Sequence, residues 1–250
     1  MCKNGCYLKC KFVEINRHLR ITFKEGGGDL DLKADQKISK GDMAYSYLKE
    51  AIITNQLQQG TLLVERQLCS ILNTSRTPVR EAIQKLSNEK LVNIMPNKTS
   101  FVSEIQYEDI AKVYDVREYL EKLAVNLDAK CITESQLREL EQYAESMNQR
   151  LENNDLDTFY QVDLTFHHRL VEFAKNEYLL NVYDLIFPQI RRMTYLVHLV
   201  AEDAIETNNY HNNIVNALKR RSSEDAEQEI GQHLKQCKIM YLKLFEPVIL

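Results

Sequence analysis

The sequence predicts a mainly α-helical protein in two parts: a winged helix-turn-helix with a small β-hairpin wing, followed by an all-α antiparallel helical bundle. Two observations predict this fold class. Between residues 37 and 103, three short amphipathic helical patterns precede two brief extended runs. The 147 residues from 104 to 250 contain one glycine and two prolines, so helical periodicity dominates there. Residues 1–36 are expected to form a poorly ordered extension.

The first 36 residues differ in composition from the rest of the chain. They hold three of the six cysteines and a glycine run within Lys24–Asp29. Cys2, Cys6 and Cys10 form a C-x3-C-x3-C pattern, but without a fourth ligand this spacing does not specify a metal site. The other cysteines are scattered, and we expect them to be reduced, packed thiols rather than parts of a disulfide framework.

Composition predicts a soluble globular protein without a membrane segment. Hydrophobic residues make up 44% of the chain, yet no stretch approaches the ~18 uninterrupted apolar residues that a transmembrane helix needs. The N-terminus also lacks a clean apolar signal core. We therefore expect a cytoplasmic protein that has no membrane partner.

Charge is divided unevenly along the chain. Residues 37–103 hold nine Lys/Arg against five Asp/Glu, a net charge of +4, whereas residues 104–250 hold 16 against 26, a net charge of −10. A polyanion is attracted to the first part and repelled by the second. This asymmetry is expected if only the front of the protein contacts nucleic acid.

The patterns of the front part predict a tri-helical unit with a hairpin. A short turn at Asn73-Thr74 separates the second helix from the third, as in a helix-turn-helix. The predicted elements are helices at 43–57, 65–72 and from Ser75 onward, and extended runs at 91–95 and 100–103.

The helix that begins at Ser75 has a polar face as well as an apolar one. Ser75 is a good N-cap residue, and Pro78 belongs in a first helical turn, where its missing N–H has no partner to lose. The pattern alone also fits an ordinary amphipathic helix with a solvated face. The apolar stripe holds Val79, Ile83 and Leu86, and the opposite face holds Arg76, Thr77, Arg80 and Gln84.

In a helix-turn-helix, the second helix enters the major groove of DNA by its N-terminal end. Arg76 and Arg80 lie where side chains meet base edges and phosphates, and arginine binds guanine O6 and N7 bidentately. Ser75 and Thr77 can bind backbone phosphates beside the helix N-terminus. Lys98, at the predicted hairpin tip, is placed to reach the adjacent minor groove or its phosphates.

Residues 60–92 (GTLLVERQLCSILNTSRTPVREAIQKLSNEKLV) resemble the DNA-binding domain of GntR-type bacterial transcription regulators. The resemblance implies a homodimer that binds a palindromic operator in double-stranded DNA. The sequence departs from the family pattern at two positions, because Lys90 and Thr99 stand where the family usually has glycine. The DNA contacts that the resemblance implies are Arg66, Arg76, Thr77, Arg80 and Lys98.

The rear part has enough helical segments for an antiparallel bundle with its own core. Pro188 lies inside the fourth segment and is expected to kink it. The candidate helices are 107–130, 134–152, 155–174, 178–200, 202–219 and 223–244.

Three histidines and one aspartate of the bundle lie on apolar helical stripes. Asp163 and His167 are four residues apart on one helix, and His211 and His233 each share a stripe with aliphatic residues. A single buried histidine is usually only a hydrogen-bonded core residue. Burying an ionised aspartate without a partner, however, costs several kcal/mol. Convergence of all four residues on a divalent metal such as zinc, nickel or manganese resolves that cost.

The segment 107–240 is also similar to the FCD effector domain of the FadR branch of GntR regulators. In that family an Asp-x3-His pair and two later histidines bind metal, which implies the ligand set Asp163, His167, His211 and His233. The resemblance also implies that Arg117 binds the carboxylate group of a small-molecule effector. An equally open alternative is an Arg117–Glu121 ion pair on one helix face.

These features predict a transcription regulator, expected to act as a repressor, rather than an enzyme. A small carboxylate effector would bind beside the metal and change how the dimer holds DNA. One alternative is a metal-dependent hydrolase with a DNA-binding appendage, although the sequence has no H-E-x-x-H motif and no evident general base. Another is a regulator whose metal is purely structural.

Overall fold

The computed structural model describes residues 39–198 and 204–244. The predicted extension, with Cys2, Cys6 and Cys10, lies outside these described residues. Within them the protein is mainly α-helical, with one small antiparallel sheet, as the sequence predicts. None of the helices in the described ranges is long and apolar enough to cross a membrane.

The front part is a winged helix-turn-helix. Its two strands pair antiparallel, with Val92 opposite Val102, and an isolated bridge joins Leu62 to Phe101. Buried aliphatic side chains from the three helices and the sheet form one cluster, which includes Leu48, Ile52, Leu86 and Leu91. The elements are α1 (Lys40–Ile53), α2 (Glu65–Ile71), α3 (Arg76–Asn88), β1 (Val92–Ile94) and β2 (Ser100–Val102).

Helix α3 forms where the sequence predicts it. Ser75 is the N-cap residue and has an extended backbone, so the helix begins at Arg76. The predicted apolar stripe is confirmed, because Val79, Ile83 and Leu86 are buried. Just past the C-terminus, Lys90 has a φ of +61°, a left-handed conformation that glycine adopts most easily. Lys90 therefore has the backbone conformation that glycine, the usual residue of the resembled family here, adopts more easily.

The rear part is a bundle whose helix ends fall within a few residues of the predicted ones. Its largest core cluster joins five helices and includes Val125, Leu140, Phe159, Ile214 and Ile230. Thr133 caps the second helix through a capping box, which fixes that boundary. The helices are α4 (Tyr107–Cys131), α5 (Glu134–Glu152), α6 (Leu156–Phe173), α7 (Glu177–His198), α8 (Ala204–Lys219) and α9 (Ser223–Leu244).

Pairing of the bundle helices brings the three predicted metal-site segments together. Helices α4 and α9 run side by side, since Asn126 donates to Glu227 and Lys238 donates to Asp115. Helix α6 lies against α4, and α9 packs on α8. Pro188 lies inside α7, which continues through it. Cys69, Cys131 and Cys237 are free thiols.

Candidate nucleic-acid interface and metal centre

The polar face of α3 is exposed at its N-terminal end. Ser75, Arg76, Thr77 and Arg80 all face solvent, so the protein's own atoms do not cover the predicted DNA-reading surface. Arg66, on the preceding helix α2, is exposed as well. Together these residues supply the cations and hydroxyl groups that phosphates and base edges require.

Glu65 of α2 forms an ion pair on this surface. The Nε of Arg80 donates to the Oε1 of Glu65 at 2.8 Å, and the Arg80 side chain is 61% exposed. This hydrogen bond lowers the pKa of Glu65, and the charges of Arg76 and Lys98 lower it further. The charges of Lys98 on the wing and Arg76 on α3 therefore both act on one carboxylate of α2.

The wing tip is held by a compact turn. The backbone N–H of Lys98 donates to the carbonyl of Met95 at 2.8 Å, and the N–H of Thr99 donates to Oδ1 of Asn97 at 3.0 Å. Lys98 has a φ of +64°, so it is the residue with left-handed backbone, rather than Thr99. The side chain of Lys98 is exposed at the end of this turn.

Asp163, His167, His211 and His233 converge inside the bundle. One ligand atom from each lies within 4.8 Å of the ligand atoms of all the others. The Oδ1 of Asp163 is 2.9 Å from Nε2 of His211 and 3.6 Å from Nε2 of His167. The Nε2 of His167 is 3.0 Å from that of His233 and 3.4 Å from that of His211. Three imidazole nitrogens and one carboxylate oxygen thus face one point.

This donor set fits a divalent metal ion. Zinc binds imidazole nitrogen and carboxylate oxygen at ~2.0–2.2 Å, so tetrahedral ligand atoms lie about 3.3–3.6 Å apart, which the four measured distances bracket. Imidazole and carboxylate donors also suit nickel and manganese. The three histidines are at most 1% exposed, so water solvates them little.

The charges within the cluster shift its titration. Burial on its own would raise the pKa of Asp163, but the His167 and His211 imidazoles outweigh it and hold that pKa well below its usual value. Burial, together with His211 and His167, pushes the pKa of His233 well below its usual value. An ionised Asp163 beside a neutral His233 is the state in which both groups can act as ligands.

A second layer of buried polar groups lies behind His167. The Nδ1 of His167 lies 2.6 Å from Oε2 of Glu121, while Oε1 of Glu121 accepts from Nε of Arg117 at 2.7 Å and from the Tyr183 hydroxyl at 2.8 Å. Nη1 of Arg117 donates to the hydroxyl of Tyr114 at 3.3 Å. Although burial alone would raise the pKa of Glu121, Arg117 and His167 lower it to about 2. The Arg117–Glu121 pair that the sequence left open is therefore present, and it is buried rather than on the surface.

Two family models match the chain. Residues 40–102 match bacterial regulatory proteins of the gntR family, and residues 112–236, half of the chain, match the FCD domain. The chain belongs to the GntR family. Its combination of the two domains is that of the FadR-like subfamily.

Relatives and solved structures agree with this GntR assignment. A relative from Agrobacterium vitis, an uncharacterized HTH-type transcriptional regulator in the TAR-I ttuE-ttuC' intergenic region, is 33% identical over 65% of this chain and 98% of its own length. The HTH-type transcriptional repressor RspR of Escherichia coli (strain K12) is 28% identical over 77% of this chain and 84% of its own. E. coli McbR/YncC has the same fold, with a TM-score of 0.73 at 20% identity over 84% of this chain and 100% of that chain. The GntR protein described here is thus a DNA-binding transcriptional regulator.

Several residues around the Asp163/His167/His211/His233 cluster of this GntR regulator were not predicted from the sequence. Tyr183 and Tyr114 were not predicted, and Glu121 was considered only as a partner of Arg117. Cys237, one helical turn after His233, has its Sγ 3.9 Å from Nε2 of that histidine, and burial raises its thiol pKa to about 12. Its position four residues after a predicted ligand was a signal available in the sequence. No such signal pointed to Tyr183, which lies on another helix.

Proposed function

We propose that this regulator is a repressor that binds a palindromic operator as a homodimer, and that a small carboxylate bound beside a divalent metal in the FCD domain modulates the binding. The observation that carries the proposal is the convergence of Asp163, His167, His211 and His233 inside the FCD domain of a DNA-binding protein. The repressor role is proposed from the name of the E. coli relative, a transcriptional repressor.

The DNA-binding half of the proposal uses the exposed face of α3 and the wing. Arg76 and Arg80 enter the major groove, Ser75 and Thr77 hold phosphates, and Arg66 and Lys98 contact the flanking backbone or minor groove. Exposure of all six side chains supports these roles. Arg80 exchanges its pair with Glu65 for a DNA contact, at a small cost because a solvent-exposed ion pair stabilises a protein little.

In the sensing half, the four ligands bind the metal, which supplies a Lewis-acidic positive site for an effector carboxylate. Asp163 contributes one negative charge among three neutral imidazoles, so the loaded site keeps a net positive charge that attracts an anion. Arg117 adds a second cation. Its contacts to Glu121 and Tyr114 use Nε and Nη1, and a guanidinium has five N–H donors, so it can bind an effector without losing the Glu121 pair.

Helix α7 supports the proposed coupling between the two halves. On the bundle side, its Tyr183 donates to Glu121 behind the metal cluster. Gln189 donates to the carbonyl of Glu89, the residue that ends α3, at 2.6 Å. One helix therefore contacts both the surroundings of the proposed metal and the end of the DNA-reading helix.

The homodimer is supported by exposed apolar side chains on two bundle helices. Tyr119 of α4 and Tyr178 of α7 are 77% and 76% exposed, with further exposed aliphatic residues at helical spacing beside each. The two tyrosine rings alone offer on the order of 300 Å² of apolar surface. A standard interface buries ~800 Å² per partner. A palindromic operator has two-fold symmetry, so a second copy of the chain binds its other half-site through its own α3. We propose that this second copy covers the exposed apolar side chains of α4 and α7.

The test combines metal analysis, thermal shift and operator binding. Purified protein loaded with zinc, nickel or manganese is screened by thermal shift against small carboxylic acids, and acids that raise the melting temperature are added to operator-binding assays. We expect at least one acid to shift both readouts. Chelation that lowers the melting temperature while no acid has any effect would instead mean a purely structural metal.

A pair of histidine variants tests the ligand set. His211→Ala is expected to deplete the bound metal, measured by elemental analysis, because it removes one of four ligands. His168→Ala is the matched control, since His168 follows His167 but its Nε2 binds Asp184 at 2.8 Å on the partly exposed side of α6. Full metal content in His211→Ala, or equal loss in the control, would contradict the proposed site.

A further inference from the structure

We infer that Glu121 is a positioning residue for the metal cluster: it fixes the tautomer and ring orientation of His167, so that Nε2 of His167 is the atom presented to the ion. The inference rests on the proposed metal site and goes beyond its four ligands. Glu121 is 0% exposed and reaches His167 from a different helix, across 46 residues of sequence.

Glu121 contacts Nδ1 of His167, the nitrogen of this imidazole that points away from the cluster. Oε2 of Glu121 is 2.6 Å from Nδ1 of His167, and a carboxylate accepts hydrogen bonds, so the proton of the neutral imidazole resides on Nδ1. The lone pair of a neutral His167 is then on Nε2, which lies 3.0 Å from Nε2 of His233 and 3.6 Å from Oδ1 of Asp163. A metal-binding histidine characteristically donates its other N–H to a carboxylate in this way.

Glu121 is itself held in place by further hydrogen bonds. Its other oxygen, Oε1, accepts from Nε of Arg117 at 2.7 Å and from the hydroxyl of Tyr183 at 2.8 Å. Three donors therefore bind its two oxygens, and Arg117 compensates its buried negative charge. A carboxylate fixed on both sides restricts the rotation of the imidazole to which it is bonded.

The contacts of Glu121 differ from those of a merely structural ion pair. Arg117 and Tyr183 bind the same oxygen of Glu121, so the pair needs nothing from His167. The other oxygen is turned to the one imidazole nitrogen that faces away from the cluster. Arg117 also touches the ring of Tyr114 at 5.4 Å, so the guanidinium is packed independently of the metal ligands.

Glu121→Gln is the informative substitution because it keeps the size of the side chain. The glutamine oxygen can accept from His167, or from Arg117 and Tyr183, but the amide NH2 then faces donors on the other side. We expect zinc affinity, measured by competition with a chromophoric chelator, to fall 10- to 100-fold, the range found when such outer carboxylates are removed. Substituted cobalt should also show an altered visible absorption spectrum, which a distant structural defect would not produce.

Asp184→Asn is the matched control. Asp184 binds the imidazole of His168, the next residue along α6, at 2.8 Å, but His168 is not in the cluster. This variant removes a carboxylate-imidazole contact of the same kind and should leave zinc affinity unchanged. A second measurement needs no variant: two-bond ¹H–¹⁵N NMR spectra of the zinc-loaded wild type should show His167 protonated on Nδ1.

The outcomes are distinct. If the wild type binds zinc and Glu121→Gln binds it equally well, or if His167 carries its proton on Nε2, the inference is overturned while the metal site stands. The inference is also overturned if Asp184→Asn weakens zinc as much as Glu121→Gln. A wild type that binds no zinc, nickel or manganese overturns the proposed site itself, and the role of Glu121 with it.

Discussion

At the scale of single residues, the two arginines of α3 differ in their environment. Arg80 donates a hydrogen bond to Glu65 through its Nε, whereas the interaction of Arg76 with Glu65 is electrostatic. Arg76 also stands in the first turn of the helix, nearest to the end that we propose enters the groove. Arg76 is therefore ready to contact a base without first giving up a partner.

We predict that Arg76→Ala weakens specific operator binding without unfolding the protein. Loss of one bidentate arginine–guanine contact costs about 1–3 kcal/mol, or roughly 5- to 150-fold in affinity per half-site. Fluorescence anisotropy at fixed salt measures the affinity, and circular dichroism measures folding. Lys85→Ala is the control, because Lys85 is an exposed cation of the same helix that binds Asp42 of α1. Equal operator affinity for wild type and Arg76→Ala would refute the assigned reading face.

Asp128 is a buried carboxylate that does not belong to the Asp163/His167/His211/His233 cluster. It is 0% exposed, and neither of its carboxylate oxygens has a hydrogen-bond partner among the residues that the structure describes. Burial raises its pKa from 3.8 to about 8. The folded protein therefore keeps Asp128 protonated at a pH at which the unfolded chain has already ionised it.

This difference in pKa makes Asp128 a source of pH-dependent instability. Because the folded-state pKa is raised, the contribution of Asp128 to the free energy of unfolding falls as pH rises from about 4 to about 8, by at most ~1.4 kcal/mol per pH unit. We predict that Asp128→Asn gains stability over the wild type as pH rises from 5 to 8. Urea titrations at pH 5, 6.5 and 8 measure the gain.

Asp225→Asn is the control for this prediction, because the pKa of Asp225 is lowered rather than raised. Hydrogen bonds from Arg220 and Ser222 lower the pKa of Asp225, so this group is ionised in both folded and unfolded states between pH 5 and 8. Its substitution should change the free energy of unfolding by a constant amount across that range. A gain for Asp128→Asn that is also independent of pH would exclude titration of Asp128 as the cause.

At the scale of helices and strands, boundaries were predictable where local chemistry sets them. Thr133 caps its helix through hydrogen bonds to Gln136, three residues along the chain. Ser75 marks the start of α3 by its extended backbone, although its side chain makes no capping hydrogen bond in that helix. The sequence shows both positions directly. The four cluster residues were predictable because each lies on an apolar stripe of its own helix. Tyr183 was not, because its contact with Glu121 depends on how α7 packs against α4, and such pairing leaves no periodic signal.

The outer faces of α4 and α7 carry rows of exposed apolar side chains. The spacing within each row is that of one helical face, so the side chains form stripes rather than isolated exposures. Their inner faces share a buried cluster that includes Ala124 and Tyr183. The exposed rows are Val116, Tyr119 and Leu123 on α4, and Tyr178, Val182 and Leu185 on α7.

We predict that the double substitution Tyr119→Glu and Tyr178→Glu converts a dimer to a monomer, because each burial of a carboxylate in an apolar interface is unfavourable. Light scattering coupled to gel filtration should give twice the chain mass of 29.3 kDa for the wild type and the chain mass for the variant. Met43→Glu, at a 49% exposed position of α1, should remain dimeric. A monomeric wild type, or dissociation caused by Met43→Glu, would disprove this interface.

At the largest scale, helix α7 contacts both the bundle core and the DNA-binding domain. Tyr183 and Gln189 are six residues apart on it, about 9 Å along the helix axis, and contact Glu121 and Glu89 respectively. The neighbouring Arg192 donates to the carbonyl of Ser103, in the link that leads out of the wing. A shift of α7 that begins beside Asp163 and the three histidines would therefore move both the end of α3 and the base of the wing.

The ion pair between Arg191 and Glu50 is the contact of this kind that substitution can remove most cleanly. Nη1 and Nη2 of Arg191 donate to Oε1 and Oε2 of Glu50, at 2.8 and 2.9 Å, and the pair connects α7 to α1. A partly exposed bidentate pair contributes about 0.5–1 kcal/mol, so Arg191→Met should reduce the metal-dependent change in operator affinity about 2- to 5-fold while zinc affinity stays constant. Glu50→Gln should give the same reduction, and the double variant no further loss, because the two residues form one contact. Arg220→Met removes an ion pair with Asp225 that lies within the bundle, and should leave the change intact. The measurement is operator affinity with saturating zinc and with chelator, and equal ratios for wild type and Arg191→Met would show that α7 does not transmit the signal through this contact.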